Sequence, residues 1–244
     1  FLAASGAEAQ APKVRIDPSS RKPDASDAFF DRAPVPKLKL ELAPADLARL
    51  KTDPRDYVPA VLRENDRTVY EGVGVKLKGA AGSFREIDDR PGFTIIVDKY
   101  DVDRRFHDLS KFHLNNAIQD DTYLHERIAS EICAAAKIPA TRAAHARLFI
   151  GDRDMGLYVV KEAFDRRFLA RHFTKTTGAL YDGGFCQDLD ADLEKDVGRD
   201  KKDRSDLKAL LDACRDLEPA KRWTRIEEKL DVDAFLAFVA FETM

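Results

Sequence analysis

Val73-Gly74-Val75-Lys76-Leu77-Lys78-Gly79-Ala80-Ala81-Gly82-Ser83 is a strand that breaks into a small-residue turn. Over Thr68 to Lys78 the period of two sets Val69, Val73, Val75 and Leu77 on one side, and Tyr70, Gly72, Gly74, Lys76 and Lys78 on the other. Glycine weakens a strand interior and marks places where something approaches the backbone closely. The face that combines glycines and lysines is therefore the one expected to meet a ligand.

Working outward, Phe93-Thr94-Ile95-Ile96-Val97-Asp98 reads as a second strand. Phe112-His113-Leu114-Asn115-Asn116 then leads through Gln119-Asp120-Asp121 into a helix predicted from about Asp121 to Lys137. Leu124, Ile128, Ile132 and Ala135 form its apolar stripe, widened by Ala129, Cys133 and Ala136, while Asp120, Asp121 and Thr122 supply capping oxygens. His125 lies beside the stripe and reads as a core histidine. Glu126 falls near the edge of the polar face, within reach of a neighbouring strand.

Upstream, residues 10–36 carry Pro12, Pro18, Pro23, Pro34 and Pro36 at spacings that predict a linker or an extended arm without helix or central strand, with Phe29-Phe30 as a docking point. Leu38 to Leu42 and Val58 to Leu62 read as strands flanking a short helix, Pro44 to Leu50. Downstream, His145 to Ile150 and Met155 to Val160 form a hairpin, after which Lys161-Glu162-Ala163 leaves the sheet. Asp165 caps a helix over Arg166 to Phe173, and Gly178 to Gly184 holds another strand and turn. The charged stretch Asp188 to Asp206 reads as a solvated insertion or exposed helix. A helical face on Leu207, Leu210, Leu211 and Cys214 ends near Pro219, and a last helix begins at Asp231. Periodicity alone gives an α+β domain.

At 244 residues the chain is long enough for one large domain or two small ones, and no run is long enough to span a bilayer. A net charge of −3 with mixed signs gives no footprint for nucleic acid, so an anionic ligand must be held by local geometry. Cys133, Cys186 and Cys214 fit no metal or redox spacing; one disulfide with a thiol left over, or buried free thiols, are both open. Phe1 to Ala9 reads as the end of a signal segment with the cleavage pattern Ala7-Glu8-Ala9, and the tail from Phe235 stops inside an apolar helical pattern. The expectation is a fragment of a longer exported protein.

The order Lys76-Leu77-Lys78-Gly79, Phe93 to Asp98, Leu114-Asn115-Asn116, Leu124 to Ala129, Gly156 to Glu162, Phe168-Leu169, Leu180-Tyr181 and Leu230 to Leu236 resembles the CotH family, atypical secreted protein kinases named for a spore-coat protein. The resemblance runs from about residue 38 to the end. It implies an atypical kinase-like fold: a mixed or antiparallel sheet lobe with one main helix over residues 37–163, running into a truncated helical lobe over 164–244. It further implies ATP with Mg2+ as phosphate donor and Ser or Thr hydroxyls of exported proteins as acceptors.

On that resemblance Lys78 is the first choice for the phosphate contact and Lys76 the second. Gly79, Gly82 and Ser83 belong to a turn that either covers phosphates with backbone N–H groups or is a plain hairpin turn. Glu126 is the candidate to pair with the lysine, and Glu162 resembles the hinge glutamate. Asn115, Asn116 and Asp120 match a family segment but serve equally as turn and cap formers, the role favoured here. His125 stands where many members have Arg, and Gly92-Phe93-Thr94 lacks a lysine sometimes present. No catalytic base or metal ligand is assigned, because the family's catalytic loop lies beyond the helix near Leu230.

Other chemistries fail on spacing. His125-Glu126-Arg127-Ile128-Ala129 lacks the second histidine of a zinc protease, and Asp188-x-Asp190-x-Asp192 lacks the glycine and glutamate of a calcium loop. Two rivals stay open: a non-catalytic exported binding domain on the same scaffold, and transfer of AMP instead of phosphate.

Overall fold

The alternating stretch around Val73 is the third of seven strands that close into a barrel. The structure, a computed structural model, describes residues 21–32, 34–183 and 186–243. The signal-like segment 1–9, the first part of the arm and Met244 lie outside them. Two compact units are present, Lys22–Phe164 and one holding the residues from Asp165 onward.

The first unit runs α1 (Ala25–Arg32), β1 (Lys37–Glu41), α2 (Pro44–Thr52), β2 (Val58–Glu64), β3 (Thr68–Lys78), β4 (Gly92–Ile96), β5 (Lys111–Asn115), α3 (His125–Ala135), β6 (Ala143–Ile150) and β7 (Arg153–Glu162). The strands are ordered β1-β2-β3-β4-β5-β7-β6, antiparallel throughout except where β1 meets β6 in parallel and shuts the barrel. A mixed sheet was legible from sequence; its closure was not. Leu38, Leu40, Leu62, Val75, Leu77, Phe93, Ile95, Phe112, Leu114 and Val160 fill the interior without exposure. Each such side chain contributes roughly 1.5–3 kcal/mol when fully buried.

The face assignment of β3 holds only for its second half. Tyr70 pairs with Leu62 and Val73 with Ala60, so two β3 residues, Glu71 and Gly72, oppose one residue of β2. That is a β-bulge, and Gly72 takes the positive φ (63°) it requires. The extra residue inverts the alternation: Val69 is exposed, and Tyr70 packs against the core instead of sharing a face with Lys76 and Lys78.

The arm also departs from expectation. Pro23 and Pro34 bracket a proline-free run, and eight of its residues make α1. Phe29 and Phe30 dock as expected, with Phe29 edge-on to Phe106 at 5.2 Å and stacked on His107 at 4.8 Å.

Helix α3 starts at His125, where the Asp120 carboxylate accepts the His125 backbone N–H at 2.9 Å. Its stripe is turned the other way. Leu124, Ile128 and Ile132 are 39–49% exposed, whereas Cys133 is buried and Glu126, Ala129 and Ser130 are partly covered. The positions 126, 129, 130 and 133 form one helical face, and the small side chains of Ala129, Ser130 and Cys133 let the helix approach closely.

The second unit contains α4 (Arg166–His172), β8 (Leu180–Asp182), β9 (Glu194–Val197), α5 (Ser205–Cys214), α6 (Pro219–Glu227) and α7 (Val232–Glu242). Asp165 caps α4 by accepting from the N–H groups of Arg167 and Phe168, and Asp231 caps α7 through Ala234 N–H. The charged stretch read as an insertion or helix supplies β9, which pairs with β8; Leu193, Lys195 and Val197 are its buried residues. Helix α6 was not foreseen: Pro219 starts it in the first turn and does not merely end α5. Asp190 and Asp192 face Arg215 and Arg204. All three cysteines are in the reduced, thiol form, Cys133 buried and Cys186 and Cys214 exposed.

Candidate functional site

Strand register assembles the site on the outside of the barrel. Lys78 pairs with Gly92, and Asn115 with Val159. One residue pair further along, Lys76, Thr94, His113 and Lys161 stand in a row across β3, β4, β5 and β7. Because side chains on a strand alternate, all eight face the same way.

A cleft of about 460 Å³ opens there, lined by Lys78, Gly79, Ser83, Gly92, the segment from Asn115 to Asp120, His125, Glu126, Ala129 and Val159. Its size falls within the ordinary range for small-ligand sites. The Lys78 ammonium donates to Asn115 Oδ1 at 2.5 Å, Asn115 Nδ2 donates to Glu126 Oε1 at 2.8 Å, and Glu126 Oε2 meets Lys161 Nζ at 2.7 Å. Burial pushes the Lys78 amine down to about 8; the charge of Lys161 lowers it further and Glu126 restores part of the loss. His113, bonded to Thr94 Oγ1 at 3.1 Å, is pushed down to about 3 by burial and then by the charges of Lys78, Lys111, Lys161 and Lys76. It is a neutral imidazole at any physiological pH.

The floor and rim are built from glycines and one asparagine. A Cβ on Gly92 would lie 3.1 Å from Lys78 Cγ, so the missing side chain is the space through which Lys78 crosses the sheet. Gly79 (φ 126°) and Gly82 (φ 81°) give the turn its shape. Asn116 Nδ2 donates to Ser83 O at 3.0 Å and Arg90 O at 2.8 Å, tying that turn to the segment after β5. Within the turn the Ala80, Ser83 and Phe84 N–H groups bond to Ser83 Oγ and Ala80 O.

A family model described as CotH kinase protein matches residues 75–244, most of the chain and every residue lining the cleft. The chain belongs to the CotH kinase family. No curated protein matches it.

Of the positions that the CotH resemblance singled out, the structure brings Lys78, Gly79, Ser83 and Glu126 to one cleft, with Gly82 in the same turn. Lys76 sits elsewhere, its Nζ 4.9 Å from the centre of the Tyr57 ring. Glu162 points the other way from Lys161, as the next residue on a strand must, and is buried against Arg142, with Oε1 to Arg142 NH2 at 2.9 Å. Arg142 also holds Asp27 and Ser26 Oγ of α1. Glu126 reaches the sheet as expected, but its ion pair is with Lys161, and Asn115 stands between it and Lys78.

Asn115 therefore belongs to the site and not to a turn, whereas Asn116 and Asp120 have the structural roles expected of them. His125 is no core histidine: its side chain is 72% exposed at the cleft, 3.6 Å from Asp120. Lys161 escapes the sequence reading, which ends the second hairpin strand at Val160. Continuing the strand by one residue places Lys161 on the same face as Val159, the cleft face.

Among the described residues no group of three or more His, Cys, Asp or Glu side chains converges as a metal site requires. The Lys78 ammonium suits the anionic end of a nucleotide, and the described residues offer no ligand set for Mg2+. Among the same residues no helix is long and apolar enough to cross a membrane.

Proposed function

We propose that this CotH family member is an exported atypical protein kinase whose nucleotide phosphates rest on Lys78 and the Gly79–Ser83 turn, and whose γ-phosphate passes to Ser or Thr hydroxyls of extracytoplasmic proteins. The observation that carries the nucleotide half is the Lys78 ammonium, drawn into a cleft and aimed by Asn115 with a turn of small residues beside it. Phosphoryl transfer asks a protein chiefly for positioning and charge stabilisation. A partly desolvated ammonium held in one place supplies both for a phosphate oxygen. Ala117, Ile118, Ala129 and Val159 add apolar lining suited to the less polar part of the ligand. In the kinase-like reading the barrel unit is the nucleotide lobe, α3 with Glu126 its carboxylate-bearing helix, and the second unit belongs to a helical lobe. Export is supported by the apolar start and the Ala7-Glu8-Ala9 pattern.

Equilibrium dialysis of MgATP against the wild-type chain and Lys78→Met tests the nucleotide site: saturable binding that the variant loses is the expected result. Incubation of the full gene product with MgATP and an extracytoplasmic protein fraction, read by mass, tests transfer. A phosphate-sized increment on Ser or Thr supports the kinase reading, and an AMP-sized one replaces it with AMP transfer. Saturable binding with no modified product favours a non-catalytic binding domain. Recovery of the mature chain outside the cytoplasm, beginning near Gln10, tests export.

A further inference from the structure

We propose that Lys161 is a positioning residue of the cleft: it anchors Glu126, and the anchored carboxylate, acting through Asn115, holds the Lys78 ammonium open to an anionic group of the ligand. The ligand's identity as a nucleotide rests on the reading above; the relay itself does not.

The hydrogen-bond chemistry fixes the direction of the chain. An ammonium only donates and an ionised carboxylate only accepts. Asn115 must therefore turn its oxygen to Lys78 and its NH2 to Glu126, the orientation observed. An asparagine transmits position but cannot cancel charge. The single carboxylate of the chain is in direct contact with Lys161, at 2.7 Å, and not with Lys78. Counting Lys78, Asn115, Glu126 and Lys161 together, two positive charges face one negative charge. Of the two cations it is Lys78 that lines the cleft, so the surplus positive charge is presented there. Leaving a charge desolvated and unmatched is costly, and an entering anion removes that cost.

Lys161 is what keeps the surplus on Lys78. Without it Glu126 has one remaining cation within the chain's reach, and a carboxylate that swings past Asn115 to Lys78 neutralises the group meant for the ligand. The lowered Lys78 amine, with Lys161 second among its causes and Glu126 opposing, follows the same arrangement. The other charged or titratable groups around it are His113, kept neutral among the lysines of the same sheet face, and Asp120 and His125, which line the same cleft.

The test reads Lys78 directly, without nucleotide. Reductive methylation of the folded chain across pH 6 to 11, quantified at Lys78 by mass spectrometry, gives its titration curve. In Lys161→Met the midpoint is expected to move up by a unit or more, so that modification near pH 7 slows roughly tenfold. Lys161→Arg, which keeps charge and ion pair, restores the wild-type curve. Asn115→Asp, which places a carboxylate on Lys78, moves the midpoint up as well, and Glu126→Gln moves it down. Circular dichroism confirms that each variant is folded; a variant that unfolds is set aside, and the remaining ones decide. A Lys78 curve unchanged in Lys161→Met and in Asn115→Asp overturns the proposal, whatever either does to stability. If the curves move as stated but MgATP binds to none of these proteins, the relay stands and the nucleotide reading falls.

Discussion

Replacing Lys78 by methionine is expected to stabilise the unliganded protein while removing its anion site. The amine's ordinary value of 10.5 falls to about 8 in the folded chain, chiefly through burial. A difference of that size corresponds to roughly 3 kcal/mol of penalty on the charged form. Residual solvent contact and the lost bond to Asn115, worth about 1 kcal/mol, reduce the net gain to roughly 1–2 kcal/mol. For a chain of this length that raises the melting temperature by about 2–8 °C.

The pH dependence identifies the cause. Below about pH 8 Lys78 is charged in both folded and unfolded chains, so the folded state carries the whole penalty. Between about 8 and 10.5 the folded chain releases its proton first, the unfolded chain binds more protons, and wild-type stability rises relative to the variant. Above that window both forms are neutral and the advantage of methionine is gone. Calorimetric melts of the two proteins at pH 7 and pH 10 measure it, with all other titrations cancelling in the difference. Trp223, the single tryptophan, lies on α6 outside the barrel unit, so its fluorescence is the wrong probe. A variant less stable than wild type at pH 7, or a difference that does not shrink by pH 10, refutes the reasoning.

Gly92→Ala should cost about 1–3 kcal/mol in urea unfolding, because its Cβ would lie 3.1 Å from Lys78 Cγ and 3.3 Å from two carbonyl oxygens that cannot move aside. Arg142→Met removes the guanidinium bonded to the buried Glu162 at 2.9 Å and should destabilise by roughly 3–5 kcal/mol in the same assay, while MgATP still binds any folded fraction. Ile128→Ser, on the exposed face of α3, should stay within about 0.5 kcal/mol of wild type, whereas Leu114→Ala, fully buried, should lose roughly 2–5 kcal/mol. Asp165→Ala removes the two accepted N–H bonds at the start of α4 and should lower stability by about 1 kcal/mol.

What was legible in the sequence was local. The alternation of Val73 to Lys78, the cap at Asp165 and the start of a helix at Asp231 each depend on a few neighbouring residues, and the structure has them. What was not legible depends on partners remote in sequence. The bulge at Gly72 exists because β2 is one residue short opposite it. The barrel closes because β1 finds β6, more than a hundred residues away, in a parallel pairing that no turn announces. Helix α3 illustrates the same limit within one element: its larger apolar residues suggested the buried face, but the barrel wall admits only small ones, so Ala129, Ser130 and Cys133 decide its rotation.

The glycines of the sheet carry this furthest. The expectation that they mark a close approach is right, but the approaching groups are the chain's own long polar side chains. Lys99 lies across Gly74, where a Cβ would come within 2.7 Å of its Cγ, and Lys78 lies across Gly92 at 3.1 Å. Gln119 closes over Gly82 at 2.6 Å, and in the second unit Lys195 crosses Gly198 at 2.8 Å. An aliphatic stem laid over bare backbone buries its methylenes and carries its polar end to a place a strand's own geometry would not reach. At Gly92 that displacement delivers the ammonium to Asn115 and the cleft. The glycine at the start of β4 is thus what lets the lysine of the neighbouring strand take up its position.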